Sequence, residues 1–156
     1  MSDKSSSPGV ATDASTLLAL SELTDIVFYE CSGRRDRDSG EAPLSIQIAL
    51  GREKLGLEVR CRATIAGAGG EYVADASAVF TFREPVEATE EAITDFAARV
   101  GVMAVYPYLR ESITQSSAKL GLQRPVLRLL RPGEVSLTIT DQVGEGASEL
   151  AQHGKG

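Results

Sequence analysis

Apolar and polar residues change their spacing twice along this chain, and each change marks a new kind of element. From Leu23 to Cys31 the run LTDIVFYEC is β-branched and aromatic, with Val27 and Tyr29 on one face and Ile26 and Phe28 on the other. That composition predicts a strand. The polar stretch from Ser32 to Pro43 carries mixed charge and no period, and reads as a long loop. Strict alternation then begins. Leu44, Ile46, Ile48 and Leu50 form one apolar row, Leu55 to Ile65 a second, and Tyr72 to Phe82 a third, with GREK and GAGG between them. A period of two predicts strands with one wet face, and short Gly-rich connections join antiparallel neighbours. The expectation is a four-stranded antiparallel meander with the first strand on an edge.

After Pro85 the period becomes 3.6. Thr89 is placed to cap a helix that opens with Glu90 and Glu91, whose charges suit the positive end of the helix dipole. Ile93, Phe96, Ala97 and Val100 share one face, and Gly101 is expected to supply a left-handed stop. A second helix follows, with Pro107 in its first turn and Tyr106, Leu109, Ile113 and Leu120 on one side, closed by Lys119 and Gly121. Strands first and helices second is an α+β order. Beyond Gly121, Pro125 and Pro132 keep the chain extended through Leu127, Leu129 and Leu130, and Val135 to Thr140 alternates like a short strand. The three leucines either cover an edge of the sheet or stay open for a partner. The expected organisation is a disordered arm over 1–18, one domain over 19–140 and a flexible tail over 141–156.

Composition narrows the function. Sixteen basic residues against 22 acidic ones leave a net charge of −6. That is the wrong sign for neutralising phosphates, so nucleic acid is not an expected partner. No apolar run approaches the ~20 residues a membrane helix needs. The Ser/Asp-rich beginning lacks the apolar core of a secretory signal, and two widely spaced cysteines fit the cytoplasm better than a disulfide scaffold. The one histidine, His153, lies in the Gly-rich tail, so a histidine-based triad or zinc site is not expected. Cys61 continues an apolar row and reads as a small core residue. GAGG joins two strands, which marks a hairpin turn, because a dinucleotide fingerprint opens a helix. No enzyme, cofactor or metal is expected.

Charge is also uneven along the chain. Five carboxylates and no base fall between Glu84 and Asp95, whereas six bases and one acid fall between Arg99 and Arg131. Dipole matching and solubility account for the first cluster. The second either continues that pattern or places a basic surface beside an apolar groove.

The helical half carries a family resemblance. Tyr106-Pro107-Tyr108-Leu109-Arg110-Glu111, followed by a Leu- and Pro-rich extended segment, resembles the SecB export chaperones. Asp25, Ile26 and Phe28 match the first strand of that family, and the resemblance covers Leu23 to Pro132. It implies a dimer of dimers packed through the long helix, with Tyr106, Tyr108, Leu109 and Ile113 as interface residues. It also implies an ATP-independent cytoplasmic holdase that binds unfolded preproteins in apolar grooves and passes them to the SecA translocase. Asp25, with Glu30 nearby, would then be the docking position. Two features depart from the family. Gly133 to Thr140 alternates where an amphipathic helix is usual, and the acidic tail is only loosely echoed. A related branch protects the antitoxin of a toxin–antitoxin module, and the same helix motif occurs there.

The residues support a binding role independently. A sheet covered by helices on one side buries only one face of the first strand, so the other face needs a subunit or a client. Val27, Tyr29, Ile46, Ile48, Leu127 and Leu129 are the expected client-binding residues. Two other classes remain open. One is a small-ligand-binding or catalytic protein using carboxylates such as Asp75 or Glu58, and the other is a structural adaptor without chaperone activity.

Overall fold

A computed structural model describes residues 9–131 and the short strand 139–140. The chain opens with helix α1, Ala14–Leu20, and continues into strand β1, Ser21–Arg35. Strands β2, Ala42–Glu53, β3, Gly56–Gly67, and β4, Gly70–Phe82, follow as consecutive antiparallel hairpins. A helical arm then runs from α2, Glu90–Phe96, through one wide π turn, Ala97–Gly101, into α3, Val102–Lys119. Strand β5, Ile139–Thr140, closes the described chain. The sheet order is β1-β4-β3-β2-β5, so the α+β architecture and the antiparallel four-strand core are as the alternation predicts. GAGG is the expected hairpin turn. Ala68 and Gly69 both take positive φ (50° and 80°), which matches the twist of the flanking strands.

Several boundaries differ from the sequence-based expectation. β1 extends to Arg35, deep into the expected loop, because its backbone pairs with β4 as far as Gly70. Only 36–41 remain to connect β1 to β2 across the end of the β3–β4 hairpin. There the Asp36 amide donates to the Gly69 carbonyl, and the Asp36 carboxylate accepts from the Asp38 and Ser39 amides. The expected arm is structured from residue 9 onward. Asp13 caps α1 by accepting from the Thr16 amide at 2.7 Å, Leu17 is 2% exposed, and Ala11 bridges to Ala88. Seven residues, about two turns of helix, are too few to show a period in sequence, which is why α1 is illegible there. Residues 1–8 and the expected tail, 141–156, lie outside the described residues.

The helical arm corrects two expectations. Thr89 does cap α2, accepting from the Ala92 amide at 3.2 Å. Gly101, however, is right-handed (φ −61°) and lies within a continuous helix, not at a stop. Its role is contact. A Cβ there would sit 2.6 Å from Val59 Cγ2, so glycine lets the helix touch β3. Pro107 consequently falls inside α3 and not in a first turn.

The core lies between the helical layer and one face of the sheet. Ala74, Ala76 and Ala78 of β4 are fully buried, and these thin side chains let α3 lie close over β4. Gly33 of β1 acts similarly, since a Cβ there would come within 3.1 Å of Ser116. Phe80 and Phe96 meet edge to face at 4.9 Å, with Val59, Tyr72, Val105, Leu109 and Ile113 buried in the same cluster.

Candidate binding surface

The two faces of the sheet differ in chemistry, and that difference locates the site. The face away from the helices carries a network of ions built by β1, β3 and β4. Arg60 donates to both carboxylate oxygens of Asp75 at 2.9 Å, and Arg62 donates to Asp75 at 3.1 Å and to Glu30 at 2.6 Å. Tyr29 donates to Glu58 at 2.5 Å, and the Arg60 guanidinium stacks 3.8 Å from the Tyr29 ring centre. Alternation in β3 and β4 places the partners at neighbouring register positions, Arg60 opposite Ser77 and Arg62 opposite Asp75. Burial raises the Asp75 carboxyl, but the two arginines together outweigh it and hold the group below its ordinary value.

This network changes the standing of several expected residues. Asp75 and Glu58 are not poised for chemistry; one is clamped by two guanidiniums and the other accepts from a phenol. Tyr29 is half exposed, yet its hydroxyl and its ring both serve the ionic face. Val27 pairs with Ser77 on that same face. Glu30 is neutralised by Arg62, whereas Asp25 is exposed beside it in β1.

The apolar exposure lies on the helix side. Along β1, Leu23 is 48% and Phe28 45% exposed, because α3 leaves the sheet's edge partly uncovered. Phe28 meets Tyr108 of α3 edge to face at 6.4 Å. Together with Cys31, Gln115 and Lys119 they line a groove of about 470 Å³ between β1 and α3. A second stretch is the extended segment 122–131, which lies alongside α3. The Tyr106 hydroxyl donates to the Arg128 carbonyl, Leu127 is tucked into the core at 9% exposure, and Leu130 packs partly against it. Val126 and Leu129 point away, 92% and 77% exposed. The result is an exposed apolar pair on a backbone pinned to α3.

Other expected site residues belong to the fold of one protomer. Leu109 and Ile113 are buried in the core cluster (1% exposed each) and Tyr106 is buried at 4% with its hydroxyl on the Arg128 carbonyl, so of the expected interface set only Tyr108 is presented outward. Ile48 is 1% exposed and Ile46 is half buried against the core. With Leu127 also in the core, Leu129 is the member of the expected client-binding set that offers an open apolar side chain. Val126 was missed, although Pro125 before it and an alternating Leu127 after it carried the signal.

Among the described residues no three metal-ligating side chains come together, and no helix is long and apolar enough to cross a membrane. Cys61 is buried, and that burial pushes its thiol up to about 12, whereas Cys31 is exposed.

Comparison with known proteins agrees with this architecture. No family model matches the chain. The SecB-like chaperone SmegB of Mycolicibacterium smegmatis is 47% identical over 135 residues, covering 86% of this chain and 92% of that protein. The fold is similar to that of the Mycobacterium tuberculosis SecB-like chaperone solved in complex with a ChAD peptide from the HigA1 antitoxin. Its TM-score is 0.64 at 22% identity, covering 75% of this chain and 96% of that one.

Proposed function

The chain belongs to the SecB-like chaperones, proteins that act by binding and not by catalysis, and from that premise we propose that it is an ATP-independent holdase for unfolded chains. The observation that carries the reading is the contrast between the two sides of the molecule. One sheet face is closed by Arg–carboxylate pairs, while Val126 and Leu129 leave apolar area open away from it. Burying such area releases water at ~25 cal/mol per Å², offset by the ordering of both chains. Several weak contacts along one long client then add through effective concentration. The protein works in the cytoplasm as a homotetramer, in which Tyr108 and the open edge of β1 meet a second copy. Size exclusion with light scattering is expected to give about four times the 16.5 kDa of one chain.

The client class best supported is an antitoxin or similar aggregation-prone partner, because a structure of this fold carries an antitoxin peptide. Delivery of preproteins to SecA has less support, since Glu30 is paired with Arg62 and only Asp25 stays available for docking. The test is to dilute a denatured, slowly folding protein into buffer with and without the chaperone, in the absence of ATP, and follow light scattering. Stoichiometric chaperone should suppress aggregation; an unchanged trace removes the holdase reading. Stabilisation of a co-expressed antitoxin, without an effect on preprotein export, supports the first client class.

A further inference from the structure

The sheet has two edges, and one of them is occupied by the chain itself. β5 pairs in parallel with the outer edge of β2, Ile139 against Ile48 and Thr140 against Ala49. β2 runs from Ala42 to Glu53, so among the described residues most of that edge has no strand beside it. An open edge is a row of unpaired amides and carbonyls, the template for strand addition. The sequence leading into β5, Val135 to Thr140, reads V-S-L-T-I-T, an apolar residue at every second position.

Resting on the holdase reading above, we infer that β5 is an internal pseudo-client. It holds the Ile48–Ala49 part of the β2 edge when no client is bound, and an extended client that pairs along the whole edge displaces it there. Three observations converge. The contact is backbone pairing at an edge, which any extended chain can make. It is short and parallel, the less stable form of pairing, so it can be displaced. Beside the paired positions, Leu44 and Ile46 are half buried on the helix side, where they would meet the apolar row of an added strand. The preferred client segment is therefore an extended stretch with aliphatic or β-branched residues at alternate positions. Because the competent state is the one with the edge open, the apparent affinity falls by the fraction of time the edge is closed.

The experiment locks and releases β5 in the full chain. Ala49→Cys with Thr140→Cys, in a Cys31→Ser background, joins two positions that face each other in the register. One protein is then measured oxidised and reduced against an extended, fluorescently labelled client peptide. The oxidised form should bind about tenfold more weakly than the reduced form. Ile139→Pro, which removes an amide from β5, should bind more tightly than the native chain. A free peptide of residues 134–142 should compete with the client. Equal binding by the oxidised and reduced forms, with Ile139→Pro unchanged, overturns the inference while leaving the holdase intact. If no form binds an unfolded chain, the holdase reading fails, and the inference with it.

Discussion

Replacing Gly101 by alanine tests how the helical arm is seated on the sheet. In an ordinary helix this substitution is favourable by roughly 0.5–1 kcal/mol, because glycine loses more backbone freedom on folding. Here the new Cβ would lie 2.6 Å from Val59 Cγ2 and 2.7 Å from both Cβ and Cγ1. Val59 is fully buried, and its Cβ is fixed to the backbone of a central strand, so the crowding cannot be relieved by rotation alone. Overpacking of this kind costs ~1–3 kcal/mol, and three close carbons place it at the upper end. The net expectation is a loss of about 2 kcal/mol after the helix gain. Urea unfolding, read at one protomer concentration because assembly adds to stability, should show a midpoint lower by roughly 1 M with an unchanged slope. Val59→Ala removes two of the three crowding carbons, so the cost of Gly101→Ala should shrink by about 1 kcal/mol in that background. A Gly101→Ala variant as stable as the native chain, or more stable, refutes the contact and returns Gly101 to an incidental helical glycine.

Three further outcomes follow from named groups. Asp75→Asn should lower stability by ~1–3 kcal/mol near neutral pH, discounted for the partial exposure of its arginines. Because the folded-state carboxyl of Asp75 is held low, its contribution is present above the unfolded value near 3.9 and is lost as pH falls through the folded value. The variant should therefore show a flatter acid-unfolding curve between about pH 5 and 2, and an unchanged curve contradicts the clamp. A thiol reagent added to the folded protein should label Cys31 promptly and Cys61 only on unfolding; rapid labelling of both shows that the site of Cys61 is open. Leu129→Ala should weaken client binding by about tenfold, from ~1–2 kcal/mol of lost burial, while the urea midpoint stays put. A stability loss instead would mean that Leu129 serves the fold.

The period of the apolar residues carried most of the architecture. Alternation in β2, β3 and β4 is strict because one face of each is buried, and a one-residue slip would expose the whole row. β1 was harder. Two register shifts, at Leu23/Asp25 and Phe28/Glu30, interrupt its pairing; Val27 and Tyr29 still share a face, but nothing in their spacing shows that this face is the ionic one. Gly101 was misread because a glycine after an apolar helical run looks the same whether it ends the helix or lets the helix approach a neighbour. The helix motif from Tyr106 to Glu111 named the family but not the exposed residues. Leu109 packs into the core and Tyr106 is buried with its hydroxyl on the extended segment, while Tyr108 between them faces out, and only tertiary packing decides which is which. The Pro/Leu segment presented three leucines of equal character. Its pinning by the Tyr106 hydroxyl places Leu127 inside and Leu129 outside.

The most direct test of the account is where a bound client touches. A photo-crosslinking residue placed at Val126 or at Leu129 samples the open apolar side, and one at Thr64 samples the ionic face of the sheet. With an unfolded client bound, the account predicts strong crosslinks from positions 126 and 129 and background levels from 64. Crosslinks from 64 with none from 126 or 129 would show that clients bind the face closed by the arginine–carboxylate pairs, and would contradict the account at its centre.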